Sequence, residues 1–577
     1  MDYRWNFQNP SNEETYTHLA KSLKISKTLA KVLERRNIST KEEAEEFFNP
    51  KLDAMHDPYL MMNMESAVDR ILKAREEEEG IWVHGDYDVD GTASTAMCVL
   101  FLKEIGIRVD YFIPDRFIDG FGLSVKSIDL ALQNKCKTLI SVDVGITALE
   151  PLKHAKKVGI DTIICDHHQP GEVLPEVHSL LDPIQPGDEY PFKHLAACGV
   201  VFKLVQAVFN KLGTPKKAYK YLDFVALATA ADMVPLFGEN RVMVNYGLKL
   251  INENPRPGFK GLIHCTKLDV GSITASNSVF ALAPIINAAG RMGAAMRSVE
   301  MMASDDEIAA FQIAQQLEDE NRKRRVFDAQ TFEESIPMAE EQIAQGRKAL
   351  VLHKADWHVG VIGIVASRLV DKFNMPTFLM TSIDGYGKGS ARSANGFDVH
   401  TALKIAAKKL QEKGGDIEEY GGHTHAAGMT LKEDLIPEFR DIIDELASGD
   451  ITDEMLTPEI VIDAELKLNE LSPNFLKTLA KFAPHGFSNP KPIFCSKGVT
   501  SANGVKIVGH NNLKFRAFQS NFMIDAIGYG MADKYSIVSS GKPFSILYNL
   551  EINSHYLNNF PQLYIKDIKA DDETDDN

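Results

Sequence analysis

The chain has 577 residues, of which 44% are hydrophobic, 8% aromatic and 25% charged. This composition is that of an ordinary globular protein, and a length of several times the roughly 150 residues of a typical domain excludes a single small binding module. The formal net charge of −17 argues against a protein that coats nucleic acids in general. Divalent cations also require clustered carboxylates, so the charge alone does not exclude a nucleic-acid substrate.

Two features of the sequence predict a cytoplasmic protein. No apolar run approaches the roughly 18 residues of a membrane-spanning helix, and MDYRWNFQNP has neither the basic start nor the hydrophobic run of a signal peptide. The six cysteines are far apart and form no CxxC pair, which argues against a disulfide framework and against a cysteine zinc site. We expect them to be packing residues in a reducing compartment.

The hydrophobic pattern divides the first part of the chain into successive regions. Residues 1–75 have helical spacing, and we expect this helical segment to pack on the domain that follows it. Residues 76–300 alternate short apolar strands with amphipathic helices, which is typical of βαβ units and a parallel sheet. Residues 301–345 are predicted to form one long charged helix that connects to a second α/β domain at 346–450.

The C-terminal region has a different pattern. Short alternating strands over 455–569 predict a small all-β barrel, and 570–577 form an acidic tail. On one of these strands, Lys514, Phe515, Arg516 and Phe518 alternate basic and aromatic residues as in an oligonucleotide-binding barrel, although any strand can show this alternation by chance. The predicted fold class is therefore α/β, with two α/β domains joined by a long helix and followed by an OB-like β-barrel.

Three predicted strands end in side chains that can bind metal ions. The strand IWV runs into the segment HGDYDVDG, LISV ends at an aspartate, and TIIC ends at the segment DHH. Because the carboxyl ends of strands in an open α/β sheet face one crevice, we expect these distant groups to converge. The residues concerned are His84, Asp86, Asp88, Asp90, Asp143, Asp166, His167 and His168.

Many carboxylates in one crevice repel one another unless counter-charges are present. Divalent cations supply such charges, and a donor set of oxygens and imidazoles without thiolates suits Mn²⁺ or Mg²⁺ better than a structural zinc ion. A single aspartate at a strand end, such as Asp86 or Asp143, is equally well explained as a helix N-cap. Its repetition at successive strand ends, beside a His-His pair, favours a metal site, with manganese as the first choice because of the histidines.

A second group of residues predicts an anion pocket. Ser390 and Arg392 lie in GKGSARS, which we expect to be a glycine-rich loop. Small residues let backbone amides approach an anion, and a guanidinium can bind a phosphate in bidentate fashion. An ordinary glycine turn is the alternative explanation.

The order and spacing of the motifs resemble the DHH phosphoesterase superfamily. HGDYDVDG, SVDVG, CDHH and TAADMVPL look like its four motifs, and WHVGVIGIVASRL, GKGSARS and GGHTHAAGM resemble the DHHA1 domain of the RecJ family. With the predicted barrel, the resemblance covers nearly the whole chain. It implies a DHH catalytic domain at 76–300, a DHHA1 domain at 346–450 and an OB-like nucleic-acid-binding barrel at 455–569.

The resemblance implies a role for each matching residue near the metal ions. Five residues would ligate two ions, with Asp143 able to bridge them, and His84 and Asp86 are additional candidates. His168 would contact the phosphate or a neighbouring carboxylate, and His423 would lie near the scissile group. The five implied ligands, which with His168 and His423 form the implied catalytic set, are Asp88, Asp90, Asp143, His167 and Asp232.

The resemblance also implies the residues that would bind substrate. Ser390 and Arg392 would hold the 5′-terminal phosphate together with Arg116, while Phe121 would stack a base and Arg291 would contact the backbone. His423 would also face the substrate. The sequence departs from the family at two places: Pro284-Ile285 stands where Pro-Arg is usual, and FAPHGFSNPKPIF differs from the usual PFGxGNPxP at His485 and Ser488.

The implied activity is hydrolysis of single-stranded DNA from the 5′ end, with release of mononucleotides and with two Mn²⁺ ions or Mg²⁺ as cofactor. Repair and recombination are the implied processes, with single-stranded DNA, a single-strand-binding protein and a RecQ-type helicase as partners and no membrane. Two alternatives remain at this point. One is an oligoribonuclease or small phosphoesterase of the DHH superfamily, which would be shorter and lack a barrel; the other is a non-catalytic RecJ-like scaffold, which would have lost metal ligands.

Overall fold

The computed structural model describes residues 3–7, 12–115, 118–120, 122–552 and 561–571. It confirms the predicted fold class: two α/β domains, a long helix between them and a C-terminal β domain. Among the described residues, no helix is long and apolar enough to cross a membrane.

The N-terminal helices each begin at a residue that caps them. Asn12, Ser26 and Thr40 accept hydrogen bonds from backbone N–H groups of the first turns, and Thr40 forms a capping box with Glu43. The elements are β1 (Arg4–Phe7), α1 (Glu13–Leu23), α2 (Lys27–Glu34) and α3 (Lys41–Phe48).

The expectation that residues 1–75 pack as one segment on the first α/β domain is wrong for α1 to α3. Leu19 and Leu33 belong to the same buried cluster as Phe494 and Tyr548 of the C-terminal domain. The amphipathic spacing identified the buried face of these helices but contained no information about its partner. Only the helix α4 (Met64–Glu76) packs into the core of the first domain.

The first α/β domain is built on a parallel sheet of five strands in the order β3-β2-β4-β5-β6. Successive residues of each strand face opposite sides of the sheet. Val83 belongs to the large hydrophobic cluster under α5 and α8, and Trp82 belongs to the smaller cluster under α6 and α7. The chain leaves β2 for β3 on one side and returns to β4 on the other, so a crevice opens at the carboxyl ends of β2 and β4. The elements are β2 (Gly80–Gly85), α5 (Val89–Glu104), β3 (Val109–Phe112), α6 (Val125–Gln133), β4 (Cys136–Val142), α7 (Leu149–Val158), β5 (Asp161–Cys165), β6 (Ser179–Leu181), α8 (Ala197–Lys211), α9 (Leu222–Ala231), α10 (Gly238–Glu253), α11 (Pro257–Thr266), α12 (Ala275–Asn277), α13 (Ala283–Arg291) and α14 (Met296–Met302), with a π-helical turn at Ser278–Leu282 between α12 and α13.

The connector is a single helix, α15 (Glu307–Ala344), of 38 residues. It lies against α11, α13 and α14 of the first domain and against α16 and β7 of the second. Several of its buried residues are polar and paired, as where Arg324 donates to Asn321 and Arg368 binds Asp328 across to the second domain. Both α/β domains therefore pack against the helix α15.

The second α/β domain has a five-stranded sheet in the order β10-β11-β9-β8-β7, parallel only between β7 and β8. GKGSARS, expected to be a loop, lies on the strand β9. Its glycines allow close packing across the strand, since a Cβ at Gly389 would lie 2.2 Å from Met429 Sδ and one at Gly387 would lie 2.8 Å from Ile436 Cδ1. The elements are β7 (Leu350–His353), α16 (Ile362–Phe373), β8 (Thr377–Ile383), β9 (Tyr386–Arg392), α17 (Val399–Gln411), β10 (Ile417–Gly422), β11 (Ala426–Lys432) and α18 (Ile436–Asp450).

The C-terminal domain is a closed β-barrel. Its sheet runs β13-β14-β15-β16-β18-β17, and pairing of β14 with β17 closes it. Phe515 points into the core, whereas Lys514, Arg516 and Phe518 lie on the outer face of β15. The elements are β12 (Glu459–Ile462), which pairs with β1, β13 (Ala464–Glu465), α19 (Pro473–Ala480), β14 (Phe494–Val508), β15 (Asn512–Gln519), β16 (Phe522–Gly528), α20 (Tyr535–Ser539), β17 (Phe544–Ile552) and β18 (Pro561–Ala570).

Candidate metal and phosphate site

The strand-end side chains of the first domain converge as the sequence predicted. The Nε2 atom of His167 lies 3.4 Å from Asp143 Oδ1, 3.7 Å from Asp232 Oδ2 and 3.9 Å from Asp90 Oδ2. Three overlapping groups place one potential ligand atom from each member within 4.8 Å of the others. These groups are Asp86, Asp88 and Asp143; Asp90, His167 and Asp232; and Asp143, His167 and His168.

Backbone groups hold the acidic side chains in place. Asp90 accepts hydrogen bonds from the N–H groups of Ala197 (2.7 Å) and Cys198 (2.8 Å), at the beginning of α8. The backbone of Asp143 adopts a left-handed conformation with a φ of 64°. Asp88 also caps α5 through the N–H of Gly91, so capping and ligation are compatible roles for one carboxylate.

The tight loop between β2 and α5 requires glycine at two positions, because a side chain there would meet the backbone. A Cβ at Gly91 would lie 2.5 Å from the backbone oxygen of Asp86. A Cβ at Gly290, on α13, would likewise lie 2.5 Å from the backbone oxygen of Tyr87. Both contacts bring backbone close to backbone, and they fix the loop that carries Asp86 and Asp88.

Burial and mutual repulsion favour the protonated form of the clustered carboxyls. Burial, followed by the charge of Asp88, raises the pKa of Asp90 to about 7. Burial and the charges of Asp90 and Asp88 raise the pKa of Asp232 to about 9, and the pKa of Asp143 is raised well above its ordinary value by burial and four neighbouring aspartates. A cluster whose carboxyls retain protons at neutral pH is one that bound cations would stabilise in the charged form.

The two histidines have opposite electrostatic environments. Burial, and then the charge of His168, lowers the pKa of His167 to about 4, so that its imidazole is neutral and can donate a lone pair to a metal ion. Burial also lowers the pKa of His168, but the hydrogen bond and charge of Asp166 outweigh it and raise that pKa to about 9. Asp166 Oδ1 lies 2.7 Å from His168 Nδ1.

Asp166 organises the histidine pair, a role that was not expected from the sequence. Its carboxylate accepts hydrogen bonds from the backbone N–H groups of His167, His168 and Ile146. The signal was present, because this aspartate directly follows the strand β5 and precedes the two histidines. Such a carboxylate beside a ligand histidine sets the orientation of the ring and its charge.

His84 is not brought into the cluster. Its Nδ1 atom lies 2.7 Å from Ser127 Oγ on α6, and its ring lies against Phe112. Alternation along β2 turns His84 to the same side of the sheet as Trp82, which also donates to Ser127. Asp86, beyond the end of the strand, does join the cluster.

A pocket of hydroxyl and guanidinium groups lies on the second domain. Arg392 donates to Ser390 Oγ (2.9 Å) and to Ser367 Oγ (3.1 Å). A Cβ at Gly363 would lie 2.9 Å from both Arg392 Nη2 and Ser390 Oγ, which places the pocket at the first turn of α16. A helix N-terminus, a guanidinium and two hydroxyls together match the chemistry of a phosphate. Ser367 and Gly363 were not predicted, although both lie in the motif WHVGVIGIVASRL.

The remaining predicted residues have different positions. Arg291, at the end of α13, donates to the backbone oxygen of Gly360 (3.0 Å) and so joins the first domain to the loop before α16. His423 is exposed in the turn between β10 and β11. Arg116 and Phe121 lie outside the described residues.

Comparisons with known proteins place this site in a family context. Family models match as the "DHH family, N-terminal domain" over 80–229, the "DHHA1 domain" over 346–449 and the "RecJ OB domain" over 462–567. The chain is 34% identical over 569 residues to the single-stranded-DNA-specific exonuclease RecJ of Bacillus subtilis, covering 98% of this chain and 70% of that protein. It is 31% identical to the Escherichia coli protein of the same name, covering 88% of this chain and 90% of that one.

Solved structures agree with these matches. The crystal structure of RecJ from Thermus thermophilus in complex with Mn²⁺ is similar with a TM-score of 0.83 and 26% identity, covering 98% of this chain and 79% of that one. A crystal structure of exonuclease RecJ bound to manganese is similar with a TM-score of 0.60 and 31% identity, covering 70% of this chain and 97% of that one.

Proposed function

Because this chain belongs to the RecJ family, we propose that it is a single-stranded-DNA-specific exonuclease that hydrolyses phosphodiester bonds at a centre of two divalent cations. The observation that supports this most strongly is the set of buried carboxyls around His167. Their raised pKa values indicate that the cluster lacks the positive charge needed to balance these carboxylates. The donor set of carboxylate oxygens and imidazole nitrogens, with no thiolate among them, fits Mn²⁺ or Mg²⁺.

The residues that would hold the ions are Asp86, Asp88, Asp90, Asp143, His167 and Asp232. Asp86 and Asp88 form one group with Asp143, and Asp143 Oδ1 also lies 3.4 Å from Nε2 of His167, which groups with Asp90 and Asp232. Asp143 would therefore be suited to bridge two ions. When bound, such an ion pair supplies a nucleophilic water at neutral pH and Lewis-acid stabilisation of the phosphate oxygens. The chain itself fixes the ligands, since the N–H groups of Ala197 and Cys198 orient Asp90 before any substrate arrives.

His168 contributes a fixed positive charge at the edge of this cluster. Asp166 holds a proton on Nδ1 of the His168 ring at neutral pH, and the side chain is 38% exposed. A protonated imidazole in this position attracts a phosphodiester and stabilises the negative charge that grows on it during hydrolysis. The neighbouring His167 stays neutral, which leaves one ring for ligation and one for substrate.

The pocket of Ser390 and Arg392 would bind the 5′-terminal phosphate. It lies at the first turn of α16 in the second domain, and Arg291 of the first domain donates to the loop before that helix. A terminal phosphate held there gives degradation from the 5′ end, with release of mononucleotides. By resemblance to the family motifs, Arg116 would also bind the 5′-terminal phosphate and Phe121 would stack a base. His423 would lie near the scissile group.

The same proposal extends to the biological setting. A site that admitted only one strand would exclude a duplex, so the enzyme would depend on a helicase of the RecQ type to supply single strands and would act beside a single-strand-binding protein. Repair and recombination, in the cytoplasm, are the processes in which such strands occur. The six unpaired cysteines are consistent with a reducing compartment. The outer face of β15, with Lys514, Arg516 and Phe518, would guide the strand.

The test uses a 5′-phosphorylated, 3′-labelled single strand and its duplex with Mn²⁺, Mg²⁺ or chelator. We expect mononucleotide release from the single strand only, loss of activity in chelator, and loss of activity in Asp143→Ala. Cleavage of dinucleotides without shortening of the long strand would favour a small phosphoesterase, and binding without cleavage would favour a scaffold. Products appearing only from the duplex would contradict the proposed strand selectivity.

A further inference from the structure

We propose that the loop 482–490 of the C-terminal domain positions the metal ligand Asp232, so that docking of the barrel sets the affinity of one of the two ions. This inference rests on the proposed metal centre. Asp232 belongs to the first domain, but the segment that carries it is held in part by the C-terminal domain.

The carboxylate of Asp232 is more exposed than those of Asp90 and Asp143. Its side chain is 25% exposed, compared with 1% for Asp90 and 4% for Asp143. Within the part of the chain that the structure describes, its carboxylate accepts no hydrogen bond, whereas Asp90 accepts two from the start of α8. It follows the last residue of α9, and Met233 after it has a φ of 57°. The position of this carboxylate therefore depends on the segment that follows.

The segment 233–237 is held from two sides. On one side, Asn240 Nδ2 donates to the backbone oxygen of Pro235 (3.0 Å) and to that of His194 (2.6 Å). On the other side, the N–H of Leu236 donates to the backbone oxygen of Phe487 in the C-terminal domain (2.9 Å). The side chain of Leu236 lies against Gly486, where a Cβ would be 2.6 Å from Leu236 Cδ1.

The loop itself is anchored by Arg241 of the first domain and by Arg36 of the N-terminal segment. Arg241, on the first turn of α10, donates to the backbone oxygens of four successive residues of the C-terminal domain and of Phe47. Arg36 of the N-terminal segment donates to Asn489 Oδ1 and to the oxygen of Pro490. The four successive residues are Lys481, Phe482, Ala483 and Pro484.

A cavity lies beside this junction. It has a volume of about 1440 Å³ and is lined by Leu236, Phe237 and Arg241 on the first domain and by Ser488 and Asn489 on the loop, among other residues. Leu236 is 1% exposed and belongs to the buried core of the first domain, so close packing transmits a shift of the loop through Leu236 to this segment. Asp232 precedes Leu236 by four residues in the chain.

The test is a glycine substitution and its rescue. Gly486 has no positive φ, so alanine fits its backbone, but the new methyl group would displace Leu236. We expect Gly486→Ala to weaken the binding of one Mn²⁺ ion about tenfold in the full chain without DNA, measured by calorimetry and electron paramagnetic resonance, while the ion at Asp86, Asp88 and Asp143 keeps its affinity. The double variant Gly486→Ala with Leu236→Ala should restore the lost affinity.

Controls separate this effect from unfolding and from failure of the metal centre. Gly449→Ala adds a methyl group in open space on α18 and should bind both ions as the wild type does. Asn489→Ala removes the hydrogen bonds to Phe482 and Pro484 and the one from Arg36, so it loosens the loop without adding bulk and should also weaken the binding of one ion. If Gly486→Ala does not fold, the Asn489→Ala variant tests the proposed role of the loop. Wild-type affinity for both ions in a folded loop variant, or equal loss of both ions, would overturn the inference, whereas a wild-type chain that binds no Mn²⁺ would overturn the metal centre itself.

Discussion

At the scale of single residues, the clustered carboxyls and His168 hold protons where the active protein would hold cations. The pKa of Asp232 and that of His168 are both raised to about 9, against ordinary values of 3.8 and 6.5. Between pH 7 and 9 the folded, metal-free protein therefore retains protons that the unfolded chain has lost. A pKa that is raised on folding contributes stability at low pH, and this stability is lost as the pH rises through the folded-state value.

The first prediction follows from this loss of stability with rising pH. Without metal, the melting temperature should fall as the pH rises from 7 to 9, because these protons are lost and the aspartates then repel one another. With Mn²⁺ the fall should be smaller, since cations replace the protons. Melting curves in chelator and in Mn²⁺ at pH 7, 8 and 9 measure this difference; a metal-free melting temperature that stays level or rises would contradict the electrostatic account.

A second prediction concerns backbone strain at Ser488. Its φ is 60°, a conformation that favours glycine, and the related motif usually has glycine there. We expect Ser488→Gly to raise the free energy of unfolding by about 1 kcal/mol, because a non-glycine residue in this region costs roughly 1–2 kcal/mol. Denaturant unfolding checks it. Ser22→Gly, inside the helix α1, is the matched control and should destabilise; stabilisation by both or by neither would contradict the strain argument.

Residue identities were predictable at the site, but side-chain direction was less so. Asp90, Asp143 and His167 converge because parallel strands end at one edge, which the sequence pattern shows. His84 was misplaced because its direction depends on where β2 ends: a residue within the strand alternates with its neighbours, and one beyond it does not. Asp86, two residues further, escapes that alternation and reaches the cluster.

At the scale of secondary structure elements, glycine was the least informative residue. GKGSARS looked like a loop, yet Gly387 and Gly389 lie in β9 because Ile436 and Met429 pack closely over them. Those partners are 40 or more positions along the chain, so no local pattern could reveal them. The strand is nevertheless suited to its proposed role, because β9 holds Ser390 and Arg392 against the first turn of α16.

The third prediction belongs to that element. Arg392→Lys should reduce kcat/KM on 5′-phosphorylated single strands by roughly 10- to 100-fold, since a charge-assisted bidentate contact is worth about 1.5–3 kcal/mol. The effect on a strand with a 5′-hydroxyl should be much smaller. Lys388→Arg, on the same strand but exposed, is the control and should behave as the wild type. Equal losses on both substrates would contradict a pocket for the terminal phosphate.

At the scale of the whole molecule, the two ends of the chain meet. The strand β1 pairs in parallel with β12, and Trp5 Nε1 donates to the buried carboxylate of Asp567 at 2.7 Å. The helices α1 to α3 share a core with the barrel rather than with the domain that follows them. Sequence patterns show which face of an element is apolar, but contacts between residues separated by more than 400 positions depend on the assembled fold.

The fourth prediction tests this closure. Trp5→Phe keeps an aromatic ring but removes the indole donor to Asp567, and we expect it to lower the free energy of unfolding by about 1–3 kcal/mol, the cost of leaving a buried acceptor unsatisfied. Trp5→Ala should cost more, because it also removes contacts with Ile462 and Leu547. Phe7→Ala, at an exposed position of the same strand, should cost less than either. Denaturant unfolding that ranks Phe7→Ala as the most damaging change would contradict the pairing.

The most direct measurement is anomalous scattering at the manganese absorption edge from crystals of the full chain grown with Mn²⁺. The account predicts two peaks on either side of Asp143, one shared with Asp86 and Asp88 and the other with Asp90, His167 and Asp232, and their disappearance in Asp143→Ala. Peaks outside this cluster alone, or an Asp143→Ala protein that keeps both ions, would contradict it.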